Sequence, residues 1–371
     1  MITSSLSPWR GLFLGTLILL VGCGKNEPGP MNNPNPNPAP DGKIVIKEEL
    51  VEPELVIDGL SNSSAPDLAA GPCGVAVQPG TGHLFVTMNG RIGRVVPGKD
   101  AKLIEEVVEF PVDKYGKGPI YELGPLGAAF LDENTLVVGG GELPDGQELV
   151  RFYSVGKEPA VTPKKADEML KAAGPIAPGA DSVKGEGNFY AVAVKGNTIF
   201  VTCNGDDTKG WVSKVEWDKE KPSPLPLTPY IKTKVATQVD APTGITIGPQ
   251  GELVVSQLGE ITQDKDSLLT FYDAASGKLI NKHETGLNDL CGLAYSPKTG
   301  KLYGVDFSWS DPSKGGLYRL EVVGDKVQPT RIATLERPTA LAFAPDGTLY
   351  VTIVGSAKEG KPGQLIAFKG L

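Results

Sequence analysis

Histidine is almost missing from this chain. There are two, His83 and His283, far apart in sequence, which argues against histidine-based acid–base chemistry. No Gly-x-Ser-x-Gly elbow, phosphate loop or His-Glu-x-x-His pair occurs, so the local signatures of serine hydrolases, nucleotide-binding loops and zincins are absent. Positive charge is also short: Lys plus Arg number 36 against 44 Asp plus Glu, a formal net charge of −8. That balance argues against nucleic acid or an anionic membrane surface as a partner. Aromatics are modest at 7%, and cysteines number four. What the chain has in plenty is turn formers, with 47 glycines and 32 prolines.

The N-terminus carries an address. Arg10 precedes the apolar run "GLFLGTLILLV", which ends in Leu20-Val21-Gly22-Cys23. These residues resemble a bacterial lipoprotein signal, in which the chain is cut before the cysteine and its thiol is acylated. Gly22 suits a peptidase pocket that admits only small side chains. An uncleaved anchor helix is the other reading, and the run is short for a comfortable span. The resemblance implies a signal peptide over 1–22, a lipidated Cys23 and membrane partnership through its acyl chains. Gly24, where retained inner-membrane lipoproteins tend to carry Asp, implies the outer membrane or cell surface of a bacterial envelope. Cleavage would remove one charge, Arg10, leaving −9. Residues 24–42 hold six prolines and five asparagines. Such a segment cannot bury a core, and with Cys23 it reads as an extended tether.

From residue 43 to 371 the sequence repeats a phrase. "CGVAVQPGTGHLFVT" from Cys73 returns as "PTGITIGPQGELVVS" from Pro242, "CGLAYSPKTGKLYGVD" from Cys291 and "PTALAFAPDGTLYVT" from Pro338. Looser copies begin at Pro125 and Phe189. The six anchors, Gly74, Gly127, Ala191, Gly244, Gly292 and Ala340, recur every 48 to 64 residues. Further apolar runs follow each copy. Four short strands per unit at this period predict an all-β, six-bladed β-propeller of four-stranded blades. A single such sheet has two apolar faces, and stacking against its copies hides both. The last copy, "QLIAFKGL", supplies three strands only, so "PELVIDGL" (53–60) is expected to complete it and tie the N- to the C-terminal end. Two segments fall outside the repeat. "TPKKADEMLKAAG" reads as a short helix with Thr162 as N-cap, Pro163 at N1 and Gly174 as its stop. "KPSPLPLTP" (221–229) reads as an extended loop.

The phrase resembles the propellers of the NHL-repeat and gluconolactonase-like (senescence-marker-protein-like) superfamily over about residues 53–371. That resemblance implies a divalent metal, calcium being the natural candidate, at one mouth of the central channel. It matches Asp306 in "LYGVD", with Cys291 where relatives carry Asn and with Glu186 and Asn188 of "KGEGNFY" as substitutes. Counting along the copies, Cys73, Leu126, Tyr190, Thr243, Cys291 and Thr339 open the inner strands. Met88, Gly140, Cys203, Gln257, Asp306 and Ile353 close the second strands at the same mouth. The sulfurs of Cys73, Cys203, Cys291 and Met88 could hold copper(I) or zinc; packed thiols are the preferred reading. Setting Cys23 aside leaves three cysteines, so at least one thiol stays unpaired. Candidate ligand contacts are Asp306, Trp309, Tyr190 and Gln257, with Trp309 the one tryptophan in a rim loop. The expected function is a lipid-anchored envelope protein whose propeller binds a protein, peptide or sugar at the mouth. The alternative is a metal-dependent hydrolase of the lactonase or phosphotriesterase type using Asp306, Glu186 and Asn188.

Overall fold

The antiparallel alternation of the repeated phrase becomes strand pairing in a computed structural model, which describes residues 44–60, 69–115, 121–205, 209–356 and 359–371. The signal segment, Cys23 and the tether lie outside the described residues.

Six four-stranded antiparallel meanders carry the strands. Their inner strands are Gly74–Val77, Ala128–Phe130, Val192–Lys195, Pro242–Ile247, Leu290–Tyr295 and Pro338–Phe343. Each pairs with the second strand after it: Leu84–Met88, Thr135–Gly139, Thr198–Cys203, Leu253–Gln257, Leu302–Asp306 and Leu349–Ile353. The second strands are buried along nearly their whole length, which is why they read as near-continuous apolar runs. Numbered in chain order, these meanders are blades 1 to 6. The sixth takes Glu54–Ile57 as its outer strand, paired antiparallel with Gln364–Phe368.

Burial explains why the sheets stack. Six apolar clusters alternate with the blades. Phe85, Leu136 and Tyr153 join blades 1 and 2; Val137, Phe189 and Trp211 join 2 and 3. Phe200 with Val255 joins 3 and 4, Leu269 with Leu302 joins 4 and 5, and Tyr303 with Val351 joins 5 and 6. Val75 and Val86 pack on Leu365 and Ala367, which brings blade 6 back to blade 1. A buried Val or Leu in such a cluster contributes roughly 1.5–3 kcal/mol.

Polar contacts near the axis follow the same repeat. The second-strand hydroxyl of "FVT", "VVS" or "YVT" accepts from its own inner strand: Gly74 N–H to Thr87 Oγ1 at 2.8 Å, Ala191 to Thr202 at 3.0 Å, Gly244 to Ser256 at 2.8 Å and Ala340 to Thr352 at 3.1 Å. Thr87 and Thr202 then donate to carbonyls of the next blade, Leu126 at 2.5 Å and Thr243 at 2.8 Å. Thr339 of blade 6 donates to the Pro72 carbonyl at 3.0 Å, beside blade 1. Blade 2 has Gly139 at the hydroxyl position, and there the Gly127 N–H reaches the Phe189 carbonyl directly at 3.2 Å. A Cβ on Gly139 would sit 2.3 Å from that oxygen. The anchors are small for the same reason: a Cβ on Gly74 would meet the Leu126 carbonyl oxygen at 2.2 Å.

One expectation fails. Residues 162–174 form no helix; they hold strands Lys164–Lys165 and Lys171–Ala173. The first adds in parallel to the outer strand of blade 1, Leu103–Val108, and the second is the fourth strand of blade 2. Edges needing hydrogen-bond partners outweigh a local N-cap and Ala-rich propensity. Among the described residues an α-helical turn forms at Thr233–Thr237, after the outer strand of blade 3, and a 3-10 turn at Pro312–Lys314. Among the described residues no helix is long and apolar enough to cross a membrane.

Candidate functional site

Antiparallel pairing sets the start of each inner strand against the end of its second strand, as Leu290 against Asp306 and Pro242 against Gln257. One face of the ring therefore gathers both sets of ends. Below it the inner strands line an axial cavity of about 80 Å³ with Tyr190, Cys291 and Thr339 among its walls, room for a few waters.

This face carries a structure the repeat does not announce. Segments Gly355–Ser356, Ala69–Ala70, Tyr121–Leu123 and Asp113–Tyr115 pair into a small four-stranded sheet. Ala69, Phe307 and Val354 form an apolar cluster there, with Tyr121, Trp309 and Cys291 against it. The Trp309 ring lies 4.9 Å from Tyr121 and 5.4 Å from Phe307, centroid to centroid, and remains half-buried.

The thiols are occupied with packing. Cys73, Cys203 and Cys291 are all free. Burial pushes the Cys73 thiol up to about 12 and holds the other two well above the usual thiol range. A reactive or metal-binding cysteine needs the opposite shift. In blade 5, Val305 stands where blades 1, 3, 4 and 6 have a hydroxyl, and the Cys291 thiol lies 3.4 Å from the Pro338 carbonyl and 3.6 Å from that of Thr339 in blade 6. It bridges two blades, as the threonines do elsewhere.

Asp306 is buried at the end of its strand. One carboxylate oxygen accepts from the Asp289 and Ser308 N–H groups at 2.8 and 3.0 Å, the other from Asn288 at 3.0 Å. Burial raises its pKa and these three bonds oppose the rise. It also lines a pocket of about 260 Å³ with Asp264, Lys314, Tyr318 and Arg331. Glu186 and Asn188 are elsewhere, buried between blades 2 and 3. There Glu148 accepts the Asn188 N–H and is pushed up to about 8, first by burial and then by Glu142 and Asp145. Asp306, Glu186 and Asn188 thus belong to different blade junctions. Among the described residues no three His, Cys, Asp or Glu side chains are placed to hold a metal ion. The set implied by the resemblance does not fit a divalent cation, which needs several convergent oxygens. Gln257 is buried, and its amide donates to Thr237 Oγ1 at 2.9 Å and the Val239 carbonyl at 2.5 Å, steadying the helix turn. Tyr190 lines the axial cavity.

Two carboxylates outside the expected set each keep an oxygen without a hydrogen-bond partner. Asp289 is 2% exposed. Its Oδ2 accepts the Trp309 N–H at 2.5 Å, while its Oδ1 has no partner. Against that bond, burial first and then Asp306, Asp266 and Asp264 raise its pKa to about 6. Asp266, in the loop entering the third strand of blade 4, accepts the Glu260 N–H through Oδ2 at 2.8 Å; its Oδ1 is also unpartnered. Asp289 stands just before the repeated phrase, so a reading confined to the anchor column passes it by. An orphaned oxygen leaves no mark in sequence.

No protein-family model and no curated protein matches this chain. Solved structures do. The PQQ-bound aldose sugar dehydrogenase of Streptomyces coelicolor is 15% identical at a TM-score of 0.55, covering 85% of this chain and 97% of its own. A luciferin-regenerating enzyme is 14% identical at 0.53, over 86% and 96%. A Thermus thermophilus protein assigned as an oxidoreductase (glucose dehydrogenase) is 17% identical at 0.52, over 85% and 99%. The chain is similar to these in fold, a β-propeller.

Proposed function

We propose that this chain is an envelope-tethered propeller that hydrolyses a small polar molecule, of the lactone type, at the rim of blades 4 and 5. One observation carries the reading: two buried aspartates stand side by side in different states. Asp306 has its carboxylate satisfied by three backbone N–H groups, and Asp289 keeps one oxygen unpartnered. Of two adjacent buried carboxylates, the one with an unpartnered oxygen is the one free to accept a proton, as a general base must. Asp289 as general base would take a proton from water as the water oxygen bonds to the carbonyl carbon. The ring C–O bond then breaks, and the proton passes to the leaving oxygen. Asp306 positions Asp289 through its backbone. The names of the neighbouring propellers, enzymes on sugars and on luciferin, support a small-molecule activity over a scaffold role. Lipidation at Cys23 and an outer-membrane address rest on the signal-like segment.

The test is a panel of γ- and δ-lactones and phosphotriesters with wild type and Asp289→Asn, which keeps the acceptor for Trp309. Loss of a general base lowers kcat by about 10²–10⁴-fold. Wild type inert across the panel, or Asp289→Asn as active as wild type, would refute the proposal. A second reading, recognition of a partner by Tyr121 and Trp309, is favoured by their half-buried rings and predicts tight binding without turnover.

A further inference from the structure

The space around Asp289 has a composition of its own. The blade 4 loop that contains Asp266 and the blade 5 loop that contains Trp309 meet where Ser310 Oγ donates to the Ile261 carbonyl. Between them lies Asp289, 2% exposed with Oδ1 unpartnered. Asp266 Oδ1, also unpartnered, and the carboxylates of Asp264 and Asp306 act on its charge. Asp264 has Lys314 as a partner and Asp306 feels Arg331, but among the described residues neither Asp289 nor Asp266 takes part in an ion pair. Lys314 is 3.5 Å from the exposed Asp264 and 3.6 Å from Asp311. A buried carboxylate oxygen with neither hydrogen bond nor counter-charge is costly, and a molecule bringing positive charge would relieve it.

The surroundings select the kind of cation. A hard divalent ion wants six or more oxygens, and two free oxygens do not supply them. Trp309, whose backbone N–H bonds Asp289, carries a half-buried indole packed on Tyr121 and Phe307, and an aromatic face attracts a diffuse organic cation. We propose that this part of the rim binds an organic ammonium group, held by Asp289 and Asp266 beside Trp309. The inference rests on reading Asp289 as the working carboxylate of the rim, and adds that the molecule handled there carries an amine.

The test is calorimetric titration of the full chain at low ionic strength with tetramethylammonium and, separately, with neopentyl alcohol, an uncharged molecule of similar shape. The expected result is saturable binding of the cation and none of the alcohol. Asp266→Asn and Asp289→Asn each weaken the cation at least tenfold, and Trp309→Leu weakens it severalfold while urea midpoints stay near wild type. Equal heats from cation and alcohol, no binding of either, or undiminished binding by Asp266→Asn overturns the inference. The two proposals separate cleanly. A chain that binds tetramethylammonium but cleaves no lactone keeps the cation site and loses the hydrolase; one that cleaves neutral lactones but ignores the cation does the reverse.

Discussion

Thr87→Val is a small change with a large expected cost. The substitution keeps the side chain's shape and removes one oxygen. That oxygen, on a fully buried residue, accepts the Gly74 N–H at 2.8 Å and donates to the Leu126 carbonyl at 2.5 Å. Val leaves both backbone groups without it. Neither can turn to water, because a Cβ on Gly74 would already meet the Leu126 oxygen at 2.2 Å, so the two chains have no gap between them. Each orphaned buried group costs roughly 1–3 kcal/mol, and the variant should lose about 2–5 kcal/mol. Urea unfolding followed by tryptophan fluorescence measures this, with the m-value expected to hold. Thr198→Val is the control: its hydroxyl bonds Glu216 at an exposed position and should change stability by less than about 0.5 kcal/mol. If Thr87→Val and Thr198→Val are indistinguishable, the hydroxyl bridges between blades do not hold the ring, and the explanation of Cys291 as their substitute falls as well.

Two further perturbations probe buried charge. Arg94 and Glu106, 2.7 Å apart and almost fully buried, pair beneath the Gly156 and Lys157 carbonyls that Arg94 also bonds. Arg94→Ala strands Glu106 and should cost about 3–5 kcal/mol, whereas Arg94→Met with Glu106→Gln should recover most of it; equal losses in both would contradict the pairing. Glu148 has its folded pKa raised from 4.5 to about 8, so its neutral form is favoured in the fold. Its contribution to stability is full below about pH 4.5 and drains away as pH rises towards 8, at up to about 1.4 kcal/mol per pH unit. Glu148→Gln should flatten that slope in urea titrations from pH 5 to 8, and an unchanged slope would refute the assignment.

The propeller was legible because its requirements repeat. Crowding at the axis demands a small residue at Gly74, Gly127, Gly244 and Gly292, and two-sided burial demands runs such as Leu84–Met88, so each blade writes the same phrase. Features that occur once had no such echo. Lys164–Lys165 and Lys171–Ala173 are strands because neighbouring edges recruit them, and nothing local says so. The small sheet of Ala69–Ala70, Tyr121–Leu123 and Gly355–Ser356 joins two- and three-residue pieces remote in sequence, too short for any period. The aromatic cluster of Phe307 and Trp309 with Tyr121 follows from that sheet. Asp306 drew attention through its position in "LYGVD", but its oxygens are spent on its own neighbourhood. Asp289, which donates one of those bonds, is set apart by a missing partner that only three dimensions reveal.

Every position assigned to the rim depends on the ring being closed by Glu54–Ile57 against Gln364–Phe368. Calorimetry of the chain with residues 53–60 deleted tests this most directly. Loss of the single cooperative melting transition is the predicted result, because blade 6 would lose its outer strand and Leu60 its buried place beside Val75 and Leu365. A deletion variant that melts cooperatively at the wild-type temperature would contradict it.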